Sequence, residues 1–170
     1  MPTEIDKIIS SLVQSAGWNL ARVRLTEHAA DLDDALSLSL ALHHGRGAEQ
    51  VISLLQDVFW RLPVEVRISL LEDALWRTGL HDEVPFLVPS LRAVFRIRNS
   101  VAHSATLVMS DTYLTLRKMK KGRFETEELG VDTLNWAVAA AQMCIMSCSR
   151  IEGRLGSTEV WGELYGFHDR

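Results

Sequence analysis

The sequence predicts a mainly all-α fold, a bundle of about five to six helices with a small β-hairpin inserted before the last long helix. Three observations predict it. Apolar residues recur at helical spacing over most of the 170 residues, the pattern of helices that bury one face. One interval, Thr112 to Arg117, changes to a period of two, and Arg123 to Glu128 can pair back on it, which suits a β-hairpin. Glycines and prolines punctuate the boundaries between these intervals.

The elements follow in order. Thr3 is a candidate N-cap for a first helix that carries Ile5, Ile8, Ile9, Leu12, Val13 and Ala16 and ends at Gly17. Its dense apolar face packs either on this chain's own core or on a partner. A second helix is predicted from Asn19 to His44, with Leu25, Ala29, Leu32, Leu36, Leu40 and His43 along one stripe. Asp31, Asp33 and Asp34 read as its solvated face. His43 and His44 before Gly45 suit a helix C-terminus, where the dipole favours cations; no third ligand accompanies them. A third helix spans Ala48 to Arg61 with Val51, Ile52, Leu55, Val58 and Phe59 inward. Pro63 opens a fourth, carrying Val66, Leu70, Leu71, Ala74 and Leu75 and stopping near Gly79. Pro85 suits the first turn of a fifth, whose stripe is Leu87, Leu91, Val94 and Val101.

In the hairpin, Leu114 and Leu116 share a face, Lys120-Lys121-Gly122 turns the chain, and Arg123 to Glu128 returns. Asp132 caps the last helix, which runs through Leu134, Val138, Ala141, Ile145, Cys148 and Ile151 and frays at Gly153 and Gly156. The expected organisation is one domain over residues 1–156 and a tail over 157–170, in which Trp161, Tyr165 and Phe167 form either a docking arm or a mobile end.

Composition limits the function. Apolar residues are 47% and charged residues 24% of the chain, ordinary for a globular protein. The net charge of −4 means that any nucleic-acid contact comes from a local patch. Cys144 and Cys148 are the two cysteines. One helical turn apart, they are poorly placed for a disulfide and read as small core hydrophobes. That fits a reducing cytoplasm. No charged-then-apolar leader opens this sequence, and no apolar run nears the ~20 residues that span a membrane. The expected location is cytoplasmic, with no membrane association.

The residues that carry chemistry close the fifth helix: Arg98-Asn99-Ser100-Val101-Ala102-His103. Arginine is a permanent cation whose planar fork matches phosphate. Histidine exchanges a proton near neutral pH. With Arg92 at zero on a helical wheel, Arg96, Asn99 and His103 fall within about 40°, while Arg98 falls near 240°, inside the apolar sector. A guanidinium there needs a specific partner. It either pairs with a carboxylate such as Glu72 or Asp73, or caps a helix end, or lines a groove that holds phosphate. The angle of roughly 140° between Arg98 and His103 on a straight helix disfavours one tight site within a single chain. It shrinks if the helix breaks before His103, or two chains complete the site across a symmetric interface.

The segment Phe95-Arg96-Ile97-Arg98-Asn99-Ser100-Val101-Ala102-His103-Ser104 resembles the signature of the HEPN superfamily (higher eukaryotes and prokaryotes nucleotide-binding). That signature is an Arg, a polar residue that is often Asn, and a His after four to six intervening residues. The order of elements is similar too. The resemblance implies a dimerising helical bundle and a metal-independent endoribonuclease without cofactors, a toxin or phage-defence effector with an RNA substrate. Arg98 would hold the scissile phosphate, His103 would act as general acid or base while the 2′-hydroxyl attacks, and Asn99 would orient the His or the phosphate. Toxins of the superfamily that pair with a nucleotidyltransferase antitoxin often carry Tyr two positions after the His; here that residue is Ala105, which puts control by tyrosine modification in doubt. Some members are not nucleases, so the alternative is a non-catalytic HEPN-like module that binds an antitoxin or regulatory protein.

Candidate RNA-backbone contacts are Arg92 and Arg96 on the helix and Lys120, Lys121 and Arg123 in the hairpin, where Arg117 and Lys118 add charge. The competing reading is a solvated tip partly neutralised by Glu125, Glu127 and Glu128. The hairpin lacks the interleaved aromatics that stack single-stranded bases.

Overall fold

The computed structural model describes residues 4–110, 112–156, 160 and 164, with side chains from residue 17 onward, apart from those of Val108 and Met109. Among these residues the elements are α1 (Glu4–His44), α2 (Ala48–Ser53), α3 (Val64–Thr78), α4 (Leu87–Ala102), β1 (Ala105–Met109), β2 (Tyr113–Lys120), β3 (Arg123–Gly130) and α5 (Val131–Leu155). The fold is mainly helical, with a small antiparallel sheet before the last helix. The chain forms two compact units, one from Met1–Ala29 and Ala93–Ala140, the other from Ala30–Arg92 and Ala141–Arg170.

The first unit holds the sheet and the end of α4. The sheet order is β1-β2-β3, all antiparallel. The β2–β3 loop is Lys121-Gly122, with φ of 48° and 77°. Two successive positive φ values match the twist of a two-residue hairpin, and glycine at the second takes that conformation without strain. Leu114 and Leu116 are buried, as their alternation predicts. Strand β1 was not expected. Ala105 pairs with Arg117 and Met109 with Leu114, around a bulge at Leu107. The run Ala-Thr-Leu-Val-Met is short and has no alternation, so periodicity alone cannot type it.

Gly17 does not end the first helix; α1 runs through it to His44. A glycine inside a helix costs only about 1 kcal/mol, and the next residue offsets that. Trp18 is buried, and its indole N–H donates to the Ser110 carbonyl at 3.0 Å. The predicted cap at Thr3 lies outside the described residues.

In the second unit, Leu32, Leu36 and Leu40 of α1 are fully buried as read, and the helix ends at His44 as predicted. Gly45 follows because a Cβ there would lie 2.4 Å from Val51 Cγ2 and 2.9 Å from the Ala41 carbonyl. The predicted third helix has the expected extent but changes pitch: α2 passes into a π turn at Leu54–Val58 and a 3-10 turn at Phe59–Arg61. The wider turn resets the helix face. Val51 and Phe59 are buried, whereas Ile52 and Val58 face solvent.

Helix α3 starts after Pro63 and ends at Gly79 in the left-handed region (φ 71°), where the Leu80 N–H reaches the Leu75 carbonyl at 2.9 Å, a Schellman closure. Val66 is exposed, and Arg67 with Ile68 takes its inward place. Arg67 bonds the Asp33 carboxylate at 2.6 Å and the Ser37 hydroxyl. Asp33 is therefore a partner for a buried cation rather than part of a purely solvated face.

Helix α4 begins at Leu87, two residues after Pro85, and Pro89 occupies its first turn instead, where a missing N–H costs nothing. Leu87, Leu91, Val94 and Val101 are all buried, as the wheel predicts. Asp132 stands in the first turn of α5, one residue inside its start, and Gly153 lies within the helix rather than at its end. Cys144 and Cys148 are buried free thiols, and burial pushes both up to about 12. They are inert core residues. Trp161, Tyr165 and Phe167 lie outside the described residues. Among the described residues, no helix is long and apolar enough to cross a membrane.

Candidate functional site

The end of α4 sets out the motif. Arg96, Asn99 and His103 are exposed along one side, while Val94, Ile97 and Val101 are buried on the other. Arg98 lies between the two environments and is partly buried. The His103 N–H still donates to the Asn99 carbonyl at 3.0 Å, although α4 proper ends at Ala102. The helical ladder therefore carries His103, so Arg98 and His103 keep the divergent directions of the wheel. Asn99 joins them. It shares the face of His103, yet its Oδ1 accepts from Arg98 Nη1 at 3.0 Å.

The carboxylates that the sequence offered to Arg98 are engaged elsewhere. Glu72 holds Arg92 at 2.9 Å, and Asp73 holds Arg77 at 2.7 Å. Among the described residues Arg98 has no carboxylate partner. Its Nε is buried without an acceptor. An orphaned buried donor costs roughly 1–3 kcal/mol, and such groups call for an explanation. Among the described residues only Asn99 accepts from this fork, and the other guanidinium nitrogens have no hydrogen-bond partner there.

Arg92 differs from its neighbours. Glu65 and Glu72 both accept from its guanidinium at 2.9 Å, and these bonds push its already high pKa further up. Its fork is filled by carboxylates, so it stands apart from the exposed set. Arg96 is exposed and close enough to Glu127 to affect that carboxyl.

The sheet is tied to α4 beside the motif. Glu127 of β3 accepts from Lys118 Nζ at 2.5 Å and from Ser100 Oγ at 3.0 Å. The Lys118 bond is the main cause holding its carboxyl below the usual carboxylate range, against desolvation, with smaller help from Ser100 and Arg96. Lys120 meets Glu125 at 3.5 Å. Lys121 and Arg123 are exposed, without a carboxylate partner among the described residues. Arg117 lies 3.6 Å over the ring of Phe124, and that ring is largely exposed. The hairpin tip therefore carries one solvent-facing aromatic among its cations, which the sequence reading passed over.

Sequence reasoning also missed the other wall. Arg22 of α1 donates to the Val101 carbonyl at 3.4 Å, covering one of the carbonyls that a helix end leaves unpaired. Around that contact lies an open cleft of 480 Å³, lined by Asn19, Arg22, Val23, Thr26 and Glu27 of α1 and Val101 and Ala102 of α4. It adjoins His103 in sequence. The residues 19, 22, 23, 26 and 27 follow helical spacing, the only signal that could have grouped them; nothing in the sequence sets them opposite α4.

Comparison of the chain with family models, with curated proteins and with solved structures gave no match.

Proposed function

We propose that this chain is a HEPN-type, metal-independent endoribonuclease whose working site is completed by a second copy. The observation that carries this reading is Arg98. Its guanidinium sits at the end of α4, half-buried, bonded to Asn99 and, among the described residues, without a carboxylate partner. A planar fork with open donors suits the non-bridging oxygens of a phosphodiester. Asn99 orients that fork. Exposed His103 supplies the proton transfer.

The reaction needs no group beyond these. The ribose 2′-oxygen attacks the adjacent phosphorus while one His103 accepts its proton. The bond from phosphorus to the 5′-oxygen breaks, and a second His103 delivers a proton to that oxygen. The products are a 2′,3′-cyclic phosphate and a 5′-hydroxyl. Because Arg98 and His103 diverge on one helix, a single chain presents them in different directions. A symmetric pair places the Arg98 of one copy beside the His103 of its partner. Arg96, Lys121 and Arg123 then supply backbone attraction. A toxin or phage-defence role is the part such a nuclease would play on this reading.

A non-catalytic module that binds a regulatory protein is the second reading. It draws on α5, where Met143 and Met146 stand exposed at helical spacing, since adaptable methionines suit protein contacts. Purified protein incubated with RNA in a chelator, beside His103→Ala, separates the two. Cleavage by wild type and its loss in the variant supports the nuclease. Equal cleavage by both, or none by wild type, removes it.

A further inference from the structure

The cleft beside α4 has a composition that phosphate binding does not explain. Arg22 and Glu27 bring one charge of each sign, so the cleft carries no net charge to attract an anion. Glu27 has no hydrogen-bond or ion-pair partner among the described residues, while Arg22 spends only a long 3.4 Å bond on the Val101 carbonyl. Thr26 donates its hydroxyl proton to the Arg22 carbonyl at 2.9 Å, which leaves its lone pairs to face a ligand. Asn19 adds an amide with both donor and acceptor, and Val23 and Ala102 add apolar surface. This set suits a neutral, flat ligand with hydrogen bonds around its edge, in a volume typical of small-ligand sites.

We infer that the cleft is a base subsite and that its ligand is the guanine of an RNA substrate, held next to the phosphate that His103 addresses; this rests on the ribonuclease reading above. A carboxylate selects guanine among the bases. Guanine alone presents two adjacent donors, N1–H and the 2-amino group, which one carboxylate accepts together. Glu27 fills that role. Arg22 faces the O6 and N7 acceptors, the commonest specific pairing of arginine with a base. Val23 and Ala102 pack on the ring. Recognition of single-stranded RNA works through such unstacked bases. Ala102 lines the cleft and His103 is the next residue, so on this reading a base seated there belongs to a nucleotide close to the scissile bond.

The test uses the full chain in two arms. The first maps the cuts in a mixed-sequence single-stranded RNA for wild type, Glu27→Gln and Ala102→Trp, the last of which plugs the cleft. The second measures binding of 5′-GMP and 5′-AMP by calorimetry. The expected result is a guanine preference of at least roughly tenfold in wild type that collapses in Glu27→Gln and in Ala102→Trp, with GMP bound better than AMP through Glu27. Cleavage without guanine preference, or a preference that survives both variants, overturns the subsite and leaves the nuclease standing. Glu27-dependent GMP binding without a guanine preference in the cuts assigns the cleft to a free nucleotide and overturns the substrate role. If wild type does not cut, the ribonuclease reading fails and the GMP arm alone decides the cleft: Glu27-dependent binding keeps a guanine site, and no binding removes it.

Discussion

Arg67 is the sharpest point at which stability can be tested. Its side chain is only 5% exposed, 2.6 Å from the Asp33 carboxylate, whose own side chain is 36% exposed. It also donates to Ser37 Oγ and, at 3.3 Å, to the Asp33 carbonyl, while its Nε has no partner. Arg67→Met keeps the aliphatic stem and removes the charge. A hydrogen bond to a charged group contributes about 1.5–3 kcal/mol, and breaking a buried ion pair costs about 3–5 kcal/mol. Two features lower the second figure here. Asp33 is accessible enough to rehydrate, and Ser37 keeps its bond to the Asp33 carbonyl at 2.9 Å. Loss of the unpartnered Nε also returns some desolvation energy. The net expectation is about 2 kcal/mol, equivalent to a Tm lower by roughly 4–8 °C for a chain of this size. Urea unfolding followed by far-UV circular dichroism measures it, and a double-mutant cycle with Asp33→Asn isolates the pair. A change under about 0.5 kcal/mol, or a more stable Arg67→Met, refutes the reasoning.

Glu127 gives a pH-dependent prediction. Its carboxyl is held below the ordinary range, chiefly by the Lys118 bond, so the folded state keeps it ionised and gains stability above the unfolded value. That gain disappears as pH falls through the folded value. Glu127→Gln, at a partly exposed site, should lose about 0.5–1 kcal/mol at pH 7, and the gap should narrow as pH falls below the ordinary carboxylate range when urea midpoints are compared. Two glycines in α1 and its end should respond with opposite signs. Gly17 has open space where a Cβ would stand, so Gly17→Ala should raise stability by about 0.5–1 kcal/mol; a loss would mean that the helix does end there. Gly45→Ala drives a methyl into Val51 and the Ala41 carbonyl and should cost about 1–3 kcal/mol, read from the same melts.

The helices were largely legible because most bury one stripe. Leu25, Ala29, Leu32, Leu36 and Leu40 repeat at helical spacing, and all are buried. The reading went wrong where local signals competed with tertiary ones. Gly17 looks like a stop until Trp18 is seen to anchor the next turn on Ser110. Val58 looks inward until the π turn at Leu54–Val58 shifts the helix face. Strand β1 has too few residues to show a period. At the site, the polar stripe of Arg96, Asn99 and His103 and the anomalous setting of Arg98 were both legible from the wheel. The contacts of Arg92 with Glu65 and Glu72 and the cleft between α1 and α4 were not, since they join residues far apart in the chain and no spacing encodes them.

Cleavage of a labelled single-stranded RNA in the presence of a chelator, with wild type and His103→Ala compared at equal concentration, addresses the central claim most directly. The account predicts fragments ending in 2′,3′-cyclic phosphate and a rate at least about 100-fold lower in the variant, the size of a lost acid or base. Matching rates for the two proteins, or intact RNA with wild type, would contradict it.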